Sequence, residues 1–325
     1  MRYPPPLSCC PEATPTRRIQ VVDCTIRDGG IVNQWHFDEA LVRRTFEALA
    51  ASGVEVMEIG YRAAPGTHPE GAVGPWRYCR EEDLRRVARA TGMKLAVMLD
   101  MGGGDMRLFE PAERSLIDVV RVATYAKDVD GAIDLLHQAL DLGYEASANV
   151  MAVSACTTDE IDRFLDKLAA SRVGTVVVVD SFGSLLPQHV RQLVRRYRAR
   201  LRPDQRVGVH LHNNQQAAFA GTLAAIEEGA DSVDATVHGM GRGAGNAPLE
   251  LLLMALGDPR YDLTPLLSLV EDYAALRDAL RWGYHLPYVV SGWLNRHPRT
   301  AIQWMKRPDR YQVLSLIETL REDLP

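Results

Sequence analysis

The sequence predicts a (β/α)8 barrel, a TIM barrel within the α/β class, with a C-terminal helical extension. Eight short runs rich in β-branched residues start at residue 19: "IQVVDCT", "VEVMEIG", "KLAVMLD", "DVVRVAT", "EASANVM", "GTVVVVD", "VGVHLHN" and "DSVDATV". They alternate with stretches of helical periodicity, a pattern that implies parallel strands joined by right-handed crossovers. A doubly wound open sheet is the competing fold. It requires a glycine-rich dinucleotide turn after an early strand, and "RDGG" is not GxGxxG.

Barrel enzymes carry their catalytic groups at the C-terminal ends of strands, so the residues there come next. The first run leads into Arg27 and Asp28, where Gly29 and Gly30 are expected to let the backbone turn away. In "DEALVRRTFEALAASG", Ala40, Leu41, Thr45 and Leu49 recur near helical spacing and Gly53 follows as a stop. The second run carries Glu58, the third ends in Asp100, and the fourth holds Arg121 with Thr124 and Tyr125 after it. Asp180 and Ser181 close the sixth. The seventh supplies His210 and His212, then Asn213 and Asn214, and the eighth is followed by "HGMGRGAGN", which ends in Asn246. Three segments are expected: a flexible proline-rich leader over 1–18, the barrel over 19–257, and the helical extension over 258–325 packed across it.

Composition excludes several classes. At 325 residues, 46% hydrophobic and 24% charged, the chain has the balance of a water-soluble globular protein. Its longest apolar runs stop far short of the roughly 20 residues that cross a bilayer, so no membrane partner is expected. The leader lacks the apolar core of a signal peptide, which points to the cytoplasm. A formal net charge of -5 argues against nucleic acid as a partner, and "VRRYRARLR" reads as the solvated face of a helix. Five cysteines without a CxxC spacing fit reduced thiols.

His210 and His212 are separated by one residue, so on a strand both side chains point the same way. Paired imidazoles with a carboxylate from another strand form a mixed N/O set for Mn, Mg, Co, Fe or Zn. The glycine loop fits either a tight turn or a close approach of backbone N–H groups to an anion. Schiff-base aldol chemistry needs a desolvated lysine inside the barrel. The sixth run has none, Lys94 sits at the wrong end of the third, and Lys127 falls in a loop. Metal-assisted enolate chemistry is therefore favoured.

Taken in order, "DCTIRDGG", "VRVATYAKDVDGA", "VVDSFG", "HLHNN" and "GMGRGAGNAPLE" resemble the DRE-TIM metallolyase superfamily, which includes HMG-CoA lyase, with its 4-hydroxy-2-oxovalerate aldolase branch nearest. The resemblance covers residues 19–256. It implies a divalent metal, Mn or Mg first, held by Asp28, His210, His212 and Asn246. It also implies that Arg27 stabilises an enolate oxygen with Glu58 behind it, and that Ser181 lines a pyruvyl carboxylate pocket, with Arg121 and Tyr288 as further substrate-binding candidates. The expected substrates are a small 2-oxo acid and an aldehyde. The aldolase branch has a histidine two residues after the metal aspartate, where this chain has Gly30, so the base is sought among His36, Tyr125, Tyr284, His285 and Tyr288. A Claisen-type acyl-CoA/2-oxo acid synthase of the isopropylmalate or homocitrate kind is the alternative enzyme, and a non-catalytic or regulatory barrel subunit the alternative class. A homodimer and an aldehyde dehydrogenase partner are further expectations, and the aromatic segment "RWGYHLPYVVSGWLNRHP" is read as a dimer contact, a lid or core.

Overall fold

All eight runs form strands: β1 (Gln20–Asp23), β2 (Val56–Tyr61), β3 (Lys94–Asp100), β4 (Val119–Thr124), β5 (Glu145–Val150), β6 (Thr175–Asp180), β7 (Arg206–Leu211) and β8 (Ser232–Ala235). The structure is a computed structural model that describes residues 18–89 and 91–322. The expected leader therefore lies, apart from Arg18, outside the described residues. The strands are parallel and close in sequence order, with β1 paired to both β2 and β8. Parallel barrel strands are covered on both faces, which is why they read as unbroken apolar runs: after Thr175, every residue of β6 is buried.

Helices wrap the strands: α1 (Thr25–Asn33), α2 (Glu39–Ala51), α3 (Glu81–Val87), α4 (Val129–Asp141), α5 (Thr158–Ala170), α6 (Pro187–Arg200), α7 (Ala218–Glu227) and α8 (Leu249–Leu256). Between β3 and β4 the chain makes only short 3-10 turns, at Met106–Leu108 and Ala112–Arg114. Local sequence sets the starts of several helices. Asp38 caps α2 by accepting from Ala40 N, and Thr157 with Glu160 forms a capping box at α5.

One local expectation is overturned. Arg27 and Asp28 are not at a strand end, because β1 stops at Asp23 and the chain enters α1 at once. Asp23 drives the change of direction by accepting from Thr25 N (3.1 Å). Gly29 and Gly30 lie within the helix and turn nothing. They make room: a Cβ on Gly29 would sit 2.7 Å from Met240 Sδ, and one on Gly30 would sit 2.0 Å from the Trp35 ring.

After α8 come α9 (Leu263–Leu280), α10 (Leu286–Trp293), α11 (Arg299–Trp304) and α12 (Val313–Glu322). They are tied to the barrel mouth by Asn214, whose Nδ2 donates to Tyr288 O (3.1 Å) and Ser291 Oγ (3.2 Å), and by Gln215, whose Nε2 donates to Val289 O (2.9 Å). Gly292 allows this contact, since a Cβ there would lie 2.7 Å from Asn214 Cβ. Among the described residues no helix is long and apolar enough to cross a membrane, and Cys24, Cys79 and Cys156 are free thiols.

Candidate active site

A buried chain of charges runs across the barrel interior. Arg27 Nη1 donates to Asp28 Oδ1 (2.7 Å) and its Nε to Glu58 Oε2 (2.6 Å). The same Glu58 oxygen meets Arg121 Nη1 (3.0 Å), whose Nη2 donates to Asp234 Oδ2 (2.7 Å). His210 Nδ1–H donates to that Asp234 oxygen in turn (3.0 Å). Three carboxylates face two guanidiniums along this chain, inside a low-dielectric wall.

That imbalance sits beside a set of donor atoms. Ligand atoms of Asp28, His210 and His212 all lie within 4.8 Å of one another, and all three residues are buried. Burial pushes the Asp28 carboxyl up, but the Arg27 guanidinium, foremost among the neighbouring charges, holds the group well below the usual carboxylate range. Burial, then the Arg242 charge, keeps His212 neutral. Its Nδ1–H donates to Gly245 O (3.4 Å), as that of His210 does to Asp234, which turns the Nε2 atom of each ring toward the other side, where Arg242 Nε approaches that of His212 (3.4 Å). Asn246 Nδ2 donates to Asp28 Oδ2 (2.6 Å) and Met240 O (3.0 Å), while its Oδ1 is buried without a hydrogen-bond partner. An unsatisfied amide oxygen next to a carboxylate and two imidazoles fits a divalent cation.

A second cluster, Cys24 with His210 and Asp234, does not fit one. Arg121 and His210 already take the Asp234 carboxylate, and burial, reinforced by Asp234 and Glu58, keeps the Cys24 thiol protonated.

The glycine loop after β8 is shaped to this set. A Cβ on Gly241 would lie 2.3 Å from Asn246 Nδ2 and 2.6 Å from Asp28 Oδ2. Gly245 has φ +77° and carries the chain past Gly239 O. The loop is strapped to the end of β7 through Asn213 N, which donates to Gly245 O (2.8 Å). Its glycines therefore bring a side chain inward rather than presenting N–H groups to an anion.

Above the charges is a cavity of about 220 Å³ lined by Arg27, Asp28, Tyr61, Asn149, Ser181, His210 and His212, with Tyr125, Arg242 and His297 among the residues at its walls. A family profile described as HMGL-like matches residues 18–272. The chain belongs to the HMGL-like family. It is 32% identical over 291 residues to a 4-hydroxy-2-oxovalerate aldolase of Thermomicrobium roseum, spanning 83% of this chain and 78% of that one. The N-terminal domain of a candidate aldolase from Bacteroides vulgatus superposes with a TM-score of 0.78 at 29% identity, covering 93% of this chain and all of that domain. The HMG-CoA lyase of Brucella melitensis shares the fold, with a TM-score of 0.66 at 21% identity over 81% of this chain and 100% of that chain. The chain is an enzyme, a carbon–carbon lyase.

For this HMGL-like enzyme, the structure sorts the residues singled out from sequence. Asp28, His210, His212 and Asn246 converge, Arg27 stands beside Asp28 with Glu58 behind it, and Ser181 lines the cavity. Arg121 does not line it. As a candidate substrate group it is corrected to a buried strut between Glu58 and Asp234. Tyr288 and His285 line a neighbouring cavity instead. His36 and Tyr284 are exposed and line neither cavity, Tyr284 keeping 60% of its surface in water. Of the five base candidates, only Tyr125 faces the 220 Å³ cavity.

Sequence reasoning missed Asp234, Tyr61, Asn149, Arg242 and His297. Asp234 alternates inward with Ser232 on β8, and that periodicity was a usable signal. Tyr61 had no such signal: the β2–β3 register shifts between Glu58 and Gly60, so Glu58 and Tyr61 both face inward three residues apart. Gly60 makes room for that irregularity, since a Cβ there would lie 2.1 Å from Trp76 O. His297 arrives from the loop after α10. Partial enclosure, then Arg242 and Arg299, hold its pKa down to about 4, and its Nδ1 accepts from Arg299 N (3.1 Å), so the neutral ring carries its proton on Nε2.

Proposed function

We propose that the chain is a divalent-metal-dependent aldolase that makes or cleaves a carbon–carbon bond between a pyruvate-type enolate and an aldehyde, with Mn or Mg as the metal of choice and Co, Zn or Fe as substitutes. The observation that carries this is the convergence of Asp28, His210 and His212 with the unpartnered Asn246 Oδ1, beside Arg27. These four residues would hold the metal, which supplies Lewis-acid polarisation of the 2-oxo group.

In the cleavage direction the 4-hydroxyl loses its proton, the C3–C4 bond breaks, and its electron pair becomes the enolate of pyruvate, which is then protonated at C3. Negative charge developing on the enolate oxygen is met by Arg27, whose guanidinium is fixed by Glu58 and Asp28 and needs no reorganisation. Ser181 Oγ accepts from Ala152 N (2.9 Å), which leaves its hydroxyl proton for a substrate carboxylate. Asn149 Oδ1 accepts from Ser147 Oγ (3.1 Å), which leaves its amide N–H groups for the same task. Proton exchange at the aldehyde oxygen falls to the side of the cavity that holds Tyr125 and His297.

Pyruvate α-proton exchange in D2O, followed by NMR with metal-stripped protein and with Mn or Mg restored, tests this without a guess at the aldehyde. Metal-dependent exchange that drops at least a hundredfold in Asp28→Asn is the expected result. Exchange that ignores both the metal and the substitution would rule the reading out.

A further inference from the structure

A second cavity, of about 350 Å³, adjoins the catalytic one and shares Ile31 and Arg242 with it as a common wall. Its floor is apolar: Leu280, Trp282, Tyr288, Ile302 and Met305. Its charged groups are all of one sign. Arg242, Arg281, Lys306 and Arg310 line it, together with His285, and no carboxylate does. Arg281 and Lys306 have no carboxylate partner among the described residues, and Arg310 only grazes a backbone carbonyl, Arg307 O at 3.5 Å, and the Tyr311 ring. In a chain where most other arginines are paired, unpaired cations gathered around one apolar hollow stand out. Burial lowers the His285 pKa, and the charges of Arg277, Arg281 and Arg310 add to the fall against a backbone hydrogen bond to Arg281 that raises it.

The adjacency to the catalytic cavity matters as much as the charge. Arg242 reaches from the glycine loop to Ser181 O (2.5 Å) and His212 Nε2 (3.4 Å), so one guanidinium belongs to both spaces. Small neutral aldehydes would leave the second cavity idle. An aldehyde with an apolar body and a terminal anion would place its reacting carbonyl in the first cavity, its body on Trp282 and Tyr288, and its charge among Arg281, Lys306 and Arg310.

We propose that the second cavity binds the tail of the aldehyde substrate, and that this tail is an apolar chain ending in an anion, a carboxylate or a phosphate. The proposal names the substrate class of the aldol site and rests on the aldolase reading for the reacting half only. Bond making is unchanged: enolate C3 joins the aldehyde carbon, and the aldehyde oxygen takes a proton.

The test compares ω-oxohexanoate, ω-oxohexyl phosphate and hexanal as acceptors for pyruvate, and measures binding of the unreactive hexanedioate by calorimetry. Wild-type enzyme is expected to favour at least one anionic acceptor over hexanal by about tenfold or more in kcat/KM. The carboxylate and phosphate arms tell which anion it is. In Lys306→Gln/Arg310→Gln the anionic-to-neutral ratio is expected to fall about tenfold and hexanedioate binding to be lost, with thermal melting as the control for folding. Equal use of all three aldehydes, or hexanedioate binding indifferent to the double substitution, would overturn the proposal. So would acceptance of acetyl-CoA with thiol release in place of any aldehyde. If pyruvate exchange fails while charge-dependent hexanedioate binding persists, the aldolase reading falls and the anion site stands.

Discussion

Two sets of ion pairs, one on α6 and one inside the barrel, use the same residue types to different ends. On α6, Arg196 and Arg200 meet Asp162 and Asp166 of α5, while Arg195 meets Glu228 just past α7. Their distances, 2.6 Å for Arg196 to Asp162, match those of Arg27 to Glu58. What differs is water. Arg196 keeps 35% of its side chain exposed, whereas Arg27 keeps 6% and Glu58 none. In solvent such a pair is worth about 0–1 kcal/mol, because hydration competes with it and salt screens it. Inside the barrel each charge depends on its neighbours for the solvation it has lost, so deleting one strips the others of part of that replacement. Geometry alone does not separate a solvated helix face from a buried charge network; burial does.

The largest expected effect comes from breaking the buried chain at its centre. Glu58→Gln strips both Arg27 and Arg121 of their shared carboxylate, and should cost about 3–5 kcal/mol in chemical denaturation and at least a hundredfold in pyruvate exchange. A loss below about 1 kcal/mol would erase the contrast with α6.

At the chain's far end, Asp234→Asn should weaken Mn binding roughly 10–100-fold in a titration, since it loosens the His210 ring rather than removing a ligand. Unchanged affinity would show that Asp234 serves Arg121 alone.

Asp23 sharpens the comparison differently, being buried without a cation beside it. Burial raises its pKa to about 7, with Glu58 and Asp234 adding to the rise and Thr25 opposing it. Because the folded value lies above the ordinary aspartate value of 3.8, ionising Asp23 opposes folding. Stability should therefore fall as pH climbs from about 4 to about 7 and level off beyond, and Asp23→Asn should flatten that part of the curve. Parallel curves for the two proteins would refute the assignment.

The smallest effect is reserved for the surface. Arg196→Gln should change stability by less than about 1 kcal/mol, and less still in high salt.

The residues at the mouth show how far reading the chain alone could go. His210 and His212 were legible because a strand fixes i and i+2 on one side, and Asn246 because the glycine loop and the family motif end on it. Asp28 was legible as chemistry but not as geometry: "RDGG" reads as a strand end with a turn, and becomes a helix whose glycines clear Met240 and Trp35. Arg242 gains its place between two cavities only from the fold. Tyr61 was hidden by an irregularity in β2, and His297 by the long stretch of sequence that separates it from the barrel.

The sequence by itself determined the barrel, the family and the metal-ligand candidates, because strand periodicity and short motifs are local and each residue's neighbours in the chain decide them. Only the tertiary structure decided which charges lose their water, which aromatic and imidazole groups reach the cavity, and that Arg281, Lys306 and Arg310 surround a common apolar hollow. Burial and convergence are sums over segments far apart in the chain, and no local pattern carries them.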